Sequence, residues 1–116
     1  MAMAQEPSRT EVDGARGAMV LEFGASWCSI CNAARPTIDR VLREHPGVAH
    51  QWIEDGKGKP LGRSFGIKLW PTLVFLRDGK EVHRVVRPKD EHALREGFRR
   101  AQDSAHEAGS AVSPER

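Results

Sequence analysis

ASWCSIC, residues 25–31, holds both cysteines of a 116-residue chain, Cys28 and Cys31, with Ser29 and Ile30 between them. A C-x-x-C pair fits a redox dithiol, half of a zinc site, a structural disulfide or a coincidence, and the residues around it decide among these. On its N-terminal side, Ala18-Met19-Val20-Leu21-Glu22-Phe23 is apolar apart from one carboxylate. Such a nearly unbroken run predicts a strand in the middle of a sheet covered on both faces. Gly24 to Trp27 reads as a loop. On the C-terminal side, Ile30, Ala34, Ile38, Val41, Leu42 and His45 recur at spacings of three and four. That stripe predicts a helix from Cys28 to Glu44 that opens at the first cysteine. Pro36 predicts a bend within it, and Pro46-Gly47 its end.

Further along, Val48 to Ile53 reads as a second strand, Glu54 to Pro60 as a loop, and Leu61 to Phe65 as a short helix stopped by Gly66. Thr72 to Leu76 is a third strand, and Asp78-Gly79 is a strong hairpin signal leading into a fourth, Glu81 to Arg87. Pro88-Lys89-Asp90 opens a last helix, with Asp90 as its cap and Ala93, Leu94, Gly97 and Phe98 on its inner side. Residues 1–17 are expected to be a flexible segment with at most one helical turn between Thr10 and Arg16. Residues 104–116 have the composition of a disordered tail. One domain, residues 18–103, remains. The first two strands, joined through a helix, form a right-handed parallel crossover. The expected architecture is α/β, a central four-stranded mixed sheet flanked by helices.

Composition excludes several classes of partner. Eighteen Lys and Arg against 16 Asp and Glu leave a net charge of +2, with the arginines scattered along the chain. That balance argues against nucleic acid. No apolar run exceeds four residues, so no segment is expected to span a membrane. The first 19 residues contain no apolar stretch and hence no expected secretory signal. Two cysteines are too few for a disulfide scaffold. The chain is expected to be a soluble, cytoplasmic monomer, a setting in which C-x-x-C pairs tend to be catalytic or metal-binding. His45, His50, His83, His92 and His106 show no metal-ligand spacing, so no metal is expected. Lys57 and Lys59 read as a solvated loop, and Trp52 as core or sheet packing.

The chemistry of a redox dithiol follows from position. Cys28 at a helix N-terminus meets unpaired N–H groups and the positive end of the helix dipole, which stabilise a thiolate. Cys31, one turn inward, is close enough to form a disulfide with it and more shielded, as attack by one sulfur and resolution by the other require. Trp27 is expected to shield the pair from one side. Glu22 lies six residues before Cys28 in an otherwise apolar strand. Burial raises a carboxyl pKa toward neutrality, which suits a general acid/base acting on a thiol.

These residues together resemble the thioredoxin family. WCSIC is similar to its W-C-x-x-C active site, Pro36 to the proline in its active-site helix, and Glu22 to its buried acid, usually Asp. FGIKLWPTLVFLRDGKEV, residues 65–82, resembles the family stretch in which a glycine-containing turn leads to a cis-proline, a strand and a hairpin. The resemblance runs from Ala18 to Arg100, about 70% of the chain. It implies a thioredoxin-like fold with its N-terminal strand reduced or absent. It implies catalytic roles for Cys28 as nucleophile, Cys31 as resolving thiol and Glu22 as proton carrier, and substrate binding by Trp27, Trp70, Pro71 and Arg87. Pro71 takes the place of the cis-proline, and the Trp70 backbone that of the group pairing with an extended substrate. No cofactor is implied. The partners implied are protein disulfide substrates and a reductase or other electron donor.

Six positions depart from the family pattern. Ser29-Ile30 replaces Gly-Pro, Asn32 replaces Lys, Gly24 stands where a second Trp is common, and Trp70 and Arg87 replace small residues of the docking face. The expected function is a thiol–disulfide oxidoreductase acting through a mixed disulfide. The alternative is a binding module on the same fold, with a dithiol that senses redox state or is silent.

Overall fold

The structure, a computed structural model, describes residues 6–103. The expected tail and the first five residues lie outside them. Ala18–Gly24 form β1, whose last five residues are all buried. It lies in the middle of a four-stranded sheet of order β2-β1-β3-β4, where β2 is Ala49–Glu54, β3 is Thr72–Arg77 and β4 is Lys80–Val86. β1 pairs with β2 in parallel and with β3 antiparallel, and β3 and β4 form the expected hairpin. Both central turn residues have positive φ, 51° at Asp78 and 81° at Gly79, the conformation that an Asp-Gly turn supplies. Gly79 is required twice over, because a Cβ there would lie 2.0 Å from the Asp13 carbonyl oxygen.

The helices are α1 (Arg9–Asp13), α2 (Ser29–Arg43), α3 (Pro60–Ser64) and α4 (Glu91–Gln102). Strand alternation sends Val20, Leu73 and Phe75 to one face of the sheet, where they pack with Ile38 and Val41 of α2 and Leu94, Phe98 and Ala101 of α4. Leu21, Phe23, Val74 and Leu76 go to the other face, against Val12 of α1 and Leu61 of α3. This is the predicted mixed sheet with helices on both faces. α2 runs unbroken through Pro36, and Asp90 caps α4 by accepting from the His92 and Ala93 N–H groups.

The helical turn expected near Thr10 is α1, closed by a capping box in which Ser8 and Glu11 satisfy each other's backbone N–H groups. Arg9 holds it in place, donating to the Ser64 carbonyl and lying 3.8 Å over the Phe65 ring. No strand precedes β1 among the described residues, in line with the expected loss of an N-terminal strand. Most element boundaries differ from the sequence reading by one residue, and the one at the end of β4 bears on the site. β4 stops at Val86, and Arg87 lies just beyond it with φ 51°.

Candidate active site

Cys28 is the N-cap of α2, extended in backbone and outside the helix proper. Its Sγ accepts the Cys31 N–H at 3.1 Å, satisfying one of the unpaired donors of the first turn. The two thiols are free and unequal. Cys28 retains 7% of its surface and Cys31 none, so only Cys28 presents surface to an incoming disulfide. Burial opposes ionisation of Cys28, but hydrogen bonds from the Cys31 thiol and from the Cys31 and Ile30 N–H groups, with the Arg87 charge, outweigh it. The net result is a lowered pKa. Burial pushes Cys31 the other way, helped by its thiol bond to Cys28 and by the charges of Cys28 and Glu22, to about 11.

Glu22 reaches the site by strand parity. It shares a face with Val20, toward α2, and is wholly buried. Its Oε1 lies 2.8 Å from His50 Nε2. Its Oε2 makes no hydrogen bond among the described residues, and the Arg35 guanidinium stands 3.9 Å away. The parallel register that pairs Val20 with His50 and Glu22 with Trp52 brings both β2 side chains to the same face. Arg35 lies over the Trp52 ring at 4.6 Å.

Gly24 makes this packing possible. A Cβ there would lie 2.8 Å from Trp52 Cη2 and 2.9 Å from Cys31 Sγ, so the ring edge and the sulfur share the space that any side chain would take. Trp52 Nε1 donates to Glu54, which also accepts the Ser26 N–H and fixes the loop before Cys28.

Across from the cysteines, the Trp70-Pro71 bond is cis. The Trp70 ring packs with Ala25, Cys28 and Cys31, and its Nε1 donates to Asp55 Oδ2 at 2.9 Å. Trp27 meets it edge-on at 5.5 Å. Trp27 itself is 75% exposed. Arg87 folds back toward the cysteines, its N–H donating to the Pro71 carbonyl and its Nε to the Trp70 carbonyl at 2.8 Å. An open cleft of about 340 Å³ runs alongside, lined by Ile30, Ala34, Thr37, Pro71, Arg87 and Lys89.

Cys28, Cys31, Glu22, Trp27, Trp70, Pro71 and Arg87 therefore converge at one end of the sheet. His50, Arg35 and Trp52 belong to the same cluster, and the sequence reading missed them. The signal for His50 and Trp52 was the alternation of His50, Trp52 and Glu54 along β2, which acquires meaning only once the parallel register against β1 is known. Among the described residues no group of His, Cys, Asp or Glu is placed to hold a metal ion. Nor is any helix there long and apolar enough to cross a membrane.

A cysteine capping a helix, a buried partner one turn on and a cis-proline opposite, on a mixed sheet of this order, define the class of thiol–disulfide oxidoreductases. The chain belongs to the thioredoxin family: the Thioredoxin family profile matches residues 2–100. Members of that family are protein-disulfide oxidoreductases. The reduced structure of thioredoxin 2 from Pseudomonas aeruginosa PAO1 is similar at 51% identity and a TM-score of 0.74, over 83% of this chain and 89% of that one. Thioredoxin of Chlamydia muridarum is 35% identical over 81 residues, 69% of this chain and 78% of its own length. Thioredoxin H-type 1 of Nicotiana tabacum is 34% identical over 73 residues, 63% of this chain. The match spans 58% of that relative's length.

Proposed function

We propose that the chain reduces or exchanges disulfides in proteins through its Cys28/Cys31 dithiol. The Cys28 thiolate attacks one sulfur of a substrate disulfide, forming a Cys28–substrate bond and releasing the first substrate thiolate. Cys31 gives its proton to Glu22 and attacks Cys28 Sγ. This closes the Cys28–Cys31 disulfide and expels the second substrate thiolate, and both substrate thiolates take protons from solvent. A reductase or other electron donor then returns the disulfide to the dithiol. The chemistry uses the two sulfurs and a carboxylate and needs no cofactor.

The substrate chain lies in the cleft beside Pro71, with Trp27 and the Trp70 ring against it and the Trp70 backbone pairing with it. Arg87 now occupies the Trp70 carbonyl and must yield it or share it. The observation that carries this reading is the inequality of the thiols, one lowered in pKa with surface to present, the other buried and raised to about 11. Insulin reduction by dithiothreitol tests it. Catalysis is expected from the wild type and not from Cys28→Ser. Turnover surviving in Cys28→Ser would overturn the assignment, and inactivity of the wild type would favour the redox-sensing or silent binding module.

A further inference from the structure

Glu22 is sealed from solvent, yet a residue that takes a proton from Cys31 in each turnover must also discharge it. We infer that His50 is the positioning residue that connects Glu22 to solvent, so that the acceptor for the Cys31 proton is a carboxylate–imidazole pair and not a carboxylate alone. This rests on the proposed role of Glu22.

Three observations converge. The 2.8 Å contact to His50 Nε2 occupies Oε1. Oε2 is buried with no hydrogen bond among the described residues, and so is the oxygen free to accept a proton. The His50 side chain keeps 29% of its surface while Glu22 has none, so the ring alone of the two reaches water. The ionisable groups facing Glu22 are Cys31 and Arg35 from α2 and His50 from β2, while its β3 neighbour, Leu73, is apolar. Arg35 stays charged throughout and cannot carry the proton. Imidazole changes charge near neutral pH and can.

The protons balance. As a carboxylate with a neutral imidazole, the pair carries one negative charge. Cys31–SH gives it a proton and becomes the attacking thiolate, leaving the pair neutral. The ring then exchanges that proton with water and restores the starting state. In the return reduction the same pair hands a proton back to Cys31.

Stopped-flow reaction of the reduced protein with one equivalent of dithiobis(nitrobenzoate) separates the steps. The first release of coloured thiolate reports attack by Cys28, and the second reports resolution by Cys31. His50→Gln keeps a donor to Oε1 but does not titrate near neutrality. It is expected to leave the first phase unchanged and to slow the second about tenfold. It should also change the pH profile of the second phase while leaving that of the first unaltered. In His50→Ala, added imidazole is expected to restore part of the second phase.

A second phase with wild-type rate and pH profile in His50→Gln would overturn the inference, as would absence of rescue in a folded His50→Ala. Glu22→Gln separates this from the parent reading. If it slows the second phase while His50→Gln does not, only the His50 role fails. If it has no effect, the Glu22 role fails, and the His50 role with it.

Discussion

The Cys31 backbone N–H donates to Cys28 Sγ at 3.1 Å, so the sulfur that caps α2 is the one the helix helps to ionise. The bond comes from the backbone and survives loss of the Cys31 side chain. Cys31→Ser should therefore still attack a substrate disulfide but fail to resolve, accumulating a stable mixed disulfide on Cys28. Mass spectrometry after incubation with oxidised insulin checks this. Rapid release of both insulin chains without a trapped adduct would contradict it.

Arg87 adopts a left-handed backbone, φ 51°, where glycine is the unstrained choice. It nonetheless bonds the Trp70 carbonyl and favours the Cys28 thiolate by its charge. Arg87→Gly removes strain of about 1 kcal/mol and a hydrogen bond of about 1 kcal/mol, so stability in urea should shift by less than about 1 kcal/mol. Removing the cation raises the Cys28 pKa and lowers its thiolate fraction at pH 7. Iodoacetamide should then react about twofold more slowly. A faster reaction would reverse the assigned sign.

Gly24 marks the tightest contact in the site. Gly24→Ala places a methyl group against both Trp52 and Cys31 and should cost about 1–3 kcal/mol in urea unfolding. Trp52→Ala in the same chain should recover part of that loss, because the two changes share one space. Additive losses would mean that the crowding lies elsewhere.

In the proposed mechanism Glu22 serves the chemistry and not the stability of the fold. Glu22→Gln should slow resolution of the mixed disulfide about 10- to 100-fold with the fold intact. Glu22→Leu removes a buried ionisable group and leaves His50 partly in water, so stability should hold or rise by about 1 kcal/mol. A large destabilisation in Glu22→Leu would instead make the carboxylate a structural residue.

The strands and helices were legible because their apolar periods are clean. Val20 to Phe23 read as an interior strand and are one, and Asp78-Gly79 marked its hairpin. The dithiol and Glu22 were legible because they lie on either side of one short loop. The contacts of Glu22 were not, since His50 is 28 residues away and reaches it only through the parallel register of β1 and β2. Trp27, adjacent to Cys28 in sequence, is 75% exposed and meets the Trp70 ring edge-on. Trp70, 39 positions beyond Cys31, comes to lie against both cysteines. The end of β4 was one residue early because Arg87 leaves the strand for a left-handed turn that its side chain does not advertise.

The central claim is that the two sulfurs are unequal by construction, and alkylation of each thiol as a function of pH tests it most directly. Only the thiolate reacts, so a lowered pKa moves the rise in rate to lower pH and a raised one to higher pH. Iodoacetamide labelling of the reduced protein, with Cys28 and Cys31 peptides quantified separately, should show Cys28 half-reactive below pH 9.0 and Cys31 only near pH 11. Indistinguishable profiles for the two thiols, or Cys31 reacting first, would contradict the account.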